Sequence, residues 1–145
     1  MPDGSCEDEL LDALAGNWNL TRKIRDGVVQ NRVRAEWVLN HQFLQIHMKD
    51  VAVPPEYEAM VFVGCANDED RYVVYWMDSF GGSFSEKGTG TRDGNAIRFV
   101  FQYPDALLHN TFTWYAADDV WTCKIEQQDD SGAWSLFCED QLTRA

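Results

Sequence analysis

Apolar and polar residues alternate with a period of two along most of this chain. The alternation comes in runs of about eight to ten residues separated by short turn sequences, which is typical of strands with one buried face. Residues 5–16 differ, because Leu10, Leu11 and Leu14 follow a polar start and precede Gly16, the pattern of a short helix. The sequence therefore predicts one short N-terminal helix followed by about ten strands.

Turn sequences between the runs fix how the predicted strands pair. Asp26–Gly27 and Asp93–Gly94 are strong signals of two-residue hairpin turns. The second turn sets Gly88 beside Phe99, where a glycine leaves room for the aromatic ring. The other turns are predicted at residues 40–41, 67–70, 80–82, 104–105, 116–119 and 129–132. Every register inferred in this way places the apolar residues on one shared face.

A single sheet with one apolar face can bury that face by closing on itself. The sequence therefore predicts an all-β fold, a closed antiparallel up-and-down β-barrel of about ten strands. The short helix would cover one end of the barrel. A two-sheet sandwich is the alternative. No repeat or linker interrupts the chain, so we expect a single domain over residues 1–145.

The charge of the chain restricts its partners. Twelve Lys and Arg residues against twenty-four Asp and Glu residues give a formal net charge of −12, which repels phosphate groups. We therefore expect neither nucleic acid nor a membrane as a partner, and a monomer or a homodimer in solution. The sequence has no signal-peptide pattern and no apolar run near the roughly 18 residues of a membrane span, so the predicted location is cytoplasmic.

The four cysteines carry no metal or redox motif. Cys6, Cys65, Cys123 and Cys138 form no C-x-x-C pair and have no histidine at zinc-finger spacing. We therefore expect reduced, mostly buried thiols. The last predicted hairpin sets Cys123 and Cys138 opposite each other.

Three short motifs resemble those of known barrels. Gly16, Asn17 and Trp18 form a G-x-W at the start of the first strand, which resembles the signature of lipocalins and related calycin barrels. W-x-L-x-x-x-F-L over residues 37–44 and W-x-D-S over residues 76–79 are similar to motifs of an uncharacterised bacterial family with a lipocalin-like barrel. The resemblance implies a basic residue near the chain end packed over the first-strand tryptophan, and the pattern assigns these roles to Arg144 and Trp18.

Several polar residues fall on the inward face of the predicted barrel. They are Arg22, Asn31, Asp78, Glu86, Asn110 and Asp140. Because a buried charge is costly without a partner, Arg22 could form an internal ion pair with Asp78 or Glu86. The alternative role for Arg22 is to bind the polar head of a ligand, such as a carboxylate.

The predicted function is binding of a small, mainly apolar molecule inside the barrel, with aromatic walls and a few orienting polar groups. The same aromatic side chains could instead fill the barrel as core. The predicted ligand-binding residues are Arg22, Trp37, Trp76, Asp78, Glu86, Phe99, Phe101, Phe112 and Trp114.

Three other functions stay open at this point. Asp78 and Glu86 could act as acid and base of an isomerase-like or lyase-like enzyme, although no accompanying motif favours catalysis over binding. A haem-binding barrel needs an inward histidine, which only a longer turn before His109 would supply. A filled barrel could act through its outer surface, where Tyr75 and Phe137 are predicted to be exposed. We expect no cofactor and no metal.

Overall fold

The structure, a computed structural model, describes residues 5–66 and 70–145. Helix α1 (Glu9–Leu14) precedes all the strands, and a short 3-10 helix, η1 (Gly82–Phe84), follows the fifth. The strands are β1 (Gly16–Ile24), β2 (Gly27–Val38), β3 (Phe43–Asp50), β4 (Glu58–Cys65), β5 (Arg71–Asp78), β6 (Glu86–Asp93), β7 (Ala96–Gln102), β8 (Leu107–Tyr115), β9 (Val120–Gln128) and β10 (Trp134–Arg144).

Each strand pairs with its neighbours in sequence, and β1 pairs with β10 to close the barrel. The predicted antiparallel up-and-down barrel of ten strands is confirmed. No helix within the described ranges is both long enough and apolar enough to cross a membrane.

Helix α1 closes one end of the barrel. The Asp8 side chain caps the helix by accepting a 2.9 Å hydrogen bond from the Leu11 amide, so one of the unpaired N–H groups at the helix start is satisfied. Leu10, Leu11 and Leu14 are buried. The Trp18 indole donates a 2.7 Å hydrogen bond to the Leu14 carbonyl, which ties the helix to β1. We call this end the helix end.

The opposite end carries five hairpin connections, at residues 25–26, 51–57, 79–85, 103–106 and 129–133. We call it the mouth.

Arg144 makes the closing contact that the resemblance implied. Its guanidinium lies 3.9 Å from the centre of the Trp18 ring and donates to the Ala15 carbonyl at 2.9 Å. The contact joins the start of β1, the end of β10 and the residue that follows α1, at the point where the barrel closes.

Most of the predicted registers are confirmed. Trp37 pairs with Leu44, and Phe112 pairs with both Ile97 and Cys123, as the turn positions require. Three hairpins differ: β9 and β10 are shifted around a bulge, and two others differ by two residues because the chain reverses at residues 25–26 and 94–95 instead. A shift of two residues preserves the inward face, so the shared apolar face survives the error.

Glycines thin the barrel wall, as predicted, with one change of partner. Gly90 rather than Gly88 pairs with Phe99. A Cβ atom at Gly88 would lie 2.8 Å from the Phe101 ring and 2.5 Å from the Val100 carbonyl oxygen. Each glycine therefore accommodates a ring lying flat against the wall.

The expectation of four reduced thiols is wrong for two of them. Cys6 and Cys65 form a disulfide, whereas Cys123 and Cys138 are free and buried. The Cys6 amide donates to the His41 carbonyl at 2.9 Å, which holds the segment before α1 against the helix end, where β4 finishes. This docking of the N-terminal segment is a long-range contact that cysteine spacing does not reveal.

A bulge in β10 separates the two free thiols. The register shifts between Leu136 and Cys138, so Cys138 pairs with Ile125 and Cys123 pairs with Asp140. The predicted pairing of Cys123 with Cys138 is therefore wrong.

Phe84 also departs from its predicted inward position. The connection after β5 spans residues 79–85 and contains η1, so Phe84 does not pair with Asp78 and is 59% exposed. Trp76 still pairs with Glu86, as predicted.

The interior is tightly packed between the helix end and the centre. Its cavity there has a volume of about 10 Å³, which is roughly the space that one water molecule needs. The side chains around it are Leu11, Leu14, Ile46, Val61, Val63, Trp76, Ile97, Phe99, Phe112 and Trp121. This part of the barrel is core and has no room for a ligand.

Candidate functional site

Polar side chains concentrate inside the half of the barrel nearer the mouth. Asn31, Asp50 and Asn110 are buried towards the mouth ends of their strands, and Asp140 is buried opposite Arg22, which lies two residues from the mouth end of β1. Buried polar groups are costly unless they are hydrogen-bonded, so this half of the barrel differs chemically from the apolar half beside α1.

Arg22 and Asp140 form a buried ion pair. The guanidinium donates two hydrogen bonds of 2.7 Å, from Nε and Nη2, to the two carboxylate oxygens, and the side chains are 11% and 2% exposed. Pairing of β1 with β10 sets the two residues opposite each other. Burial alone would lower the pKa of Arg22, but the hydrogen bonds and charge of Asp140 outweigh it and raise the pKa.

The predicted internal ion pair therefore exists, but with a different carboxylate. Asp140 takes the place expected for Asp78 or Glu86. Because both oxygens of Asp140 face the guanidinium, the positive charge of Arg22 is neutralised within the protein.

Tyr57 connects Asp78 to the aromatic wall. Its hydroxyl donates to Asp78 Oδ2 at 3.1 Å and accepts a 3.2 Å hydrogen bond from the Trp76 indole. The Arg22 guanidinium lies 5.7 Å from the centre of the Tyr57 ring. Burial, and then the charge of Asp78, raise the pKa of Tyr57 even though Trp76 and Arg22 lower it, so the hydroxyl stays protonated.

Tyr57 was missed by sequence analysis. It lies in the long connection between β3 and β4, outside the alternating pattern that identified the other inward residues. An aromatic residue directly before the start of β4 was the available signal.

Aromatic rings extend from the rim of the mouth into the barrel. Tyr57 lies 5.7 Å from Phe80 between ring centres, and Phe80 lies 6.4 Å from Phe84. Inside the barrel, Trp76 lies 6.0 Å from Phe101 and Phe101 lies 6.4 Å from Tyr103. We call these six residues the aromatic wall.

Two carboxylates lie beside the aromatic wall. Burial raises the pKa of Tyr103, and the negative charges of Asp78 and Glu86 raise it further, so both carboxylates act on this ring. Asp78 also accepts a 3.1 Å hydrogen bond from the Phe80 amide, which holds the 79–85 connection at the mouth.

Four buried side-chain polar atoms lack a hydrogen-bond partner in the described residues: His41 Nε2, Thr111 Oγ1 and two amide oxygens on inward-facing residues. The side-chain carbonyl oxygens of Asn31 and Asn110 have no hydrogen-bond partner among residues 5–66 and 70–145. The two residues are only 4% and 3% exposed. An unpaired buried oxygen loses its hydration without compensation, which makes it a candidate for contact with a ligand or an ordered water.

The nine predicted ligand-binding residues do not form one site. Five lie in the mouth half, namely Arg22, Trp76, Asp78, Glu86 and Phe101. Phe99 and Phe112 line the small central cavity. Trp37 and Trp114 lie at the helix end, where the Trp37 indole donates to Asp12 at 2.9 Å and Trp114 packs on Trp18 and Trp121.

None of the three histidines is placed for an interior haem. His41 lies in the turn between β2 and β3 and stacks on Trp37. His47 bonds to Glu58 at 2.5 Å, and His109 pairs with Val100 in the outward register. The predicted two-residue turn that keeps His109 outward is confirmed. No group of three or more His, Cys, Asp or Glu side chains suited to a metal ion occurs in the described parts of the chain.

A separate groove crosses the outer wall of strands β3 to β6. It has a volume of about 500 Å³, and its apolar lining includes Leu39, Phe43, Phe62, Tyr75 and Met77. Trp76, Ser85, Glu86 and Lys87 complete its lining, so the groove reaches the mouth. It contains Tyr75, one of the two residues predicted to form an outer apolar patch.

The sequence also matches a protein family. Residues 5–144 match the family DUF1579, described as a protein of unknown function. The chain belongs to this family. No curated protein matches it.

A solved structure has the same fold as this DUF1579 chain. The crystal structure of Rv2717c from M. tuberculosis aligns with a TM-score of 0.70 and 14% identity, covering 94% of this chain and 96% of that one. A redesigned β-barrel aligns with a TM-score of 0.41 and 14% identity, covering 97% and 99%. At this identity, the likeness to Rv2717c establishes the fold alone.

Proposed function

We propose that this DUF1579 protein binds a small, mainly apolar molecule at the mouth of its barrel. The observation that carries the proposal is the pair of buried, unpartnered oxygens of Asn31 and Asn110 inside the mouth half. A protein gains nothing in stability from such groups, so their presence favours a function. The resemblance to lipocalin-like barrels supports the same interpretation.

The packing of the core determines where the molecule binds. A cavity of about 10 Å³ cannot hold a ligand, because small-molecule sites are typically a few hundred Å³. The ligand therefore enters among the aromatic wall and displaces the exposed rim rings of Phe80 and Phe84. Moving exposed rings costs little buried apolar area.

The hydrogen bonds of Asp78 favour binding over catalysis. Asp78 already accepts hydrogen bonds from Tyr57 and from the Phe80 amide, an arrangement that holds the mouth loops in place. An isomerase-like or lyase-like role for Asp78 and Glu86 stays a prediction. It would be tested by whether the protein converts the molecule found bound at the mouth.

The compartment remains a prediction as well. The cytoplasm was expected from the sequence, but the Cys6–Cys65 disulfide favours an oxidising compartment.

Native mass spectrometry of the freshly purified protein tests the proposal. We expect a small-molecule mass that disappears on denaturation. Replacing both acceptors, in Asn31→Leu/Asn110→Leu, should remove the bound mass, whereas Met77→Lys on the outer wall should retain it. A wild-type protein that carries no small molecule from any expression host, and takes up none from an apolar compound library, would overturn the proposal.

The outer groove is the second candidate site. Its volume of about 500 Å³ lies within the usual range for small-molecule sites, and its lining is apolar. The same pair of variants tests this alternative. A bound mass that survives the asparagine replacements and is lost in Met77→Lys would place the ligand in the groove instead.

A further inference from the structure

We propose that the molecule bound at the mouth carries an organic cation, an ammonium group with an apolar tail. This inference rests on the proposed function and adds the charge of the ligand. It reverses the expectation that Arg22 recognises a carboxylate, and three features of the mouth support it.

The positive charge of the mouth is already neutralised. Arg22 makes two hydrogen bonds of 2.7 Å to Asp140, so an anionic ligand would have to compete with a buried carboxylate that is held in place. The other cations near this end lie outside the barrel: Lys87 lies 5.7 Å from the ring of Tyr75 on the outer wall, and Lys23, Arg25 and Lys49 are exposed to solvent. An anion therefore finds no free cation inside the mouth among these residues.

Two carboxylates of the mouth, Asp78 and Glu86, in contrast form no ion pair within residues 5–66 and 70–145. Asp78 accepts hydrogen bonds from a neutral hydroxyl and a backbone amide, and Glu86 accepts one from the Lys87 amide at 3.3 Å. Both carboxylates act on Tyr103, a ring of the aromatic wall that lies in the 103–106 connection. A net charge of −12 over the whole chain would attract a cation to the protein.

The aromatic wall supplies the second feature. Ring faces attract cations, and aromatic cages are a common way to bind ammonium groups. Tyr57, Phe80 and Phe84 form a continuous series at the rim, with ring centres 5.7 and 6.4 Å apart. Tyr57 already faces one cation, Arg22, at 5.7 Å.

The third feature is the pair of unpartnered oxygens. Asn31 Oδ1 and Asn110 Oδ1 accept hydrogen bonds, so each can pair with an N–H group of an ammonium ligand. Both asparagines face the interior of the barrel and are more than nine-tenths buried. Acceptors, ring faces and carboxylates all favour the same sign of charge.

Three probes with the same tail test the inference: octylammonium, octanesulfonate and 1-octanol. Calorimetric titration in buffer of physiological ionic strength should show that the ammonium binds at least about tenfold more tightly than the sulfonate. Asp78→Asn/Glu86→Gln should weaken ammonium binding about fivefold to tenfold and leave octanol binding unchanged. Asp93→Asn/Asp118→Asn, which removes two exposed charges at the helix end, should leave both unchanged.

Phe84→Ala provides a second variant, because this exposed ring can be removed without disturbing the core. It should weaken ammonium binding about threefold and more than it weakens octanol binding.

The outcomes separate this inference from the proposed function. The cation inference would be wrong if the three probes bound with equal affinity or if the sulfonate bound most tightly. If Phe84→Ala still weakened that binding, the proposed site at the mouth would be retained. Ammonium binding that is weakened equally by both double variants would also overturn the cation site, because it would reflect overall charge. Absence of binding by every probe would overturn both proposals.

Discussion

The ion pair between Arg22 and Asp140 has the largest expected effect of any single contact at the mouth. Asp140→Asn leaves a buried guanidinium without its counter-charge, so the free energy of unfolding should fall by about 3–5 kcal/mol. Urea unfolding at neutral pH measures it. The double variant Arg22→Met/Asp140→Leu, which removes both charges, should recover most of the loss. A double variant as unstable as the single one would contradict this account of the pair.

The two unpartnered oxygens predict an unusual gain in stability. Asn110→Leu replaces an unpaired buried amide by an apolar group of similar size, so the free energy of unfolding should rise by about 1 kcal/mol. Denaturant unfolding of the ligand-free protein measures it, with Asn19→Leu on the exposed side of β1 as the control. A loss of stability would show that the amide oxygen is well paired in the folded protein.

The buried thiol of Cys138 predicts instability at high pH. Burial raises its pKa from the ordinary 9.0 to about 12. The thiol therefore ionises in the unfolded chain before it ionises in the folded one, so its stabilising contribution is complete below pH 9 and is lost as the pH rises from 9 towards 12.

The free energy of unfolding should fall above pH 9, and Cys138→Ala should reduce that slope by up to about 1.4 kcal/mol per pH unit. Urea unfolding between pH 8 and about 10.5 measures both slopes. Equal slopes for the two proteins would contradict the prediction.

Sequence analysis found most of the residues at the mouth but not their partners. The period of two places Arg22, Asn31, Asn110 and Asp140 inward, because parity depends only on local alternation. Pairing of β1 with β10 is set by closure of the whole barrel, so no turn sequence could match Arg22 with Asp140. Tyr57 lies in a connection, where the period gives no information.

At the scale of elements, the disulfide determines how firmly α1 closes the barrel. Cys6 and Cys65 are 59 residues apart in sequence, and a loop of that size is stabilised by about 4 kcal/mol in the chain-entropy estimate. Cys6→Ala/Cys65→Ala should therefore lower the free energy of unfolding by about 2–4 kcal/mol.

Thermal and urea unfolding with and without dithiothreitol measure the effect. In the presence of the reductant the variant and the wild-type protein should be about equally stable, since neither then has the cross-link. A wild-type protein that is insensitive to the reductant, and as stable as the variant, would contradict the role of the disulfide.

The hairpins show which features of an element can be predicted. Turns at residues 40–41 and 116–119 were located correctly, because no neighbouring residue competes for the turn. At residues 25–26 the turn precedes the expected Gly27, and Arg25 takes a φ of 53° in its place. The bulge in β10 was not foreseen, because alternation continues on either side of it.

The fold of the whole molecule was predictable because every predicted hairpin register placed the apolar residues on the same face. Eight connections with one shared apolar face leave few architectures other than a closed barrel. The free volume inside was not predictable. It depends on how Phe99, Phe112 and Trp121 interlock with the leucines of α1, and the sequence does not specify that packing.

The whole molecule therefore consists of a filled, cross-linked helix end and a polar, aromatic mouth. This division explains why the predicted ligand-binding residues separate into groups. Phe99, Phe112, Trp37 and Trp114 lie deep in the barrel or near α1, while Arg22, Trp76, Asp78, Glu86 and Phe101 lie in the mouth half, where we propose that the ligand binds.

The most direct test of a mouth site is a two-dimensional ¹H–¹⁵N spectrum of the labelled protein during titration with 1-octanol. We predict saturable shifts of the Trp76 indole N–H and of the Asn31 and Asn110 side-chain amides, with the Trp18 indole unmoved. Shifts confined to the outer wall around Met77, or no saturable shift, would contradict the account.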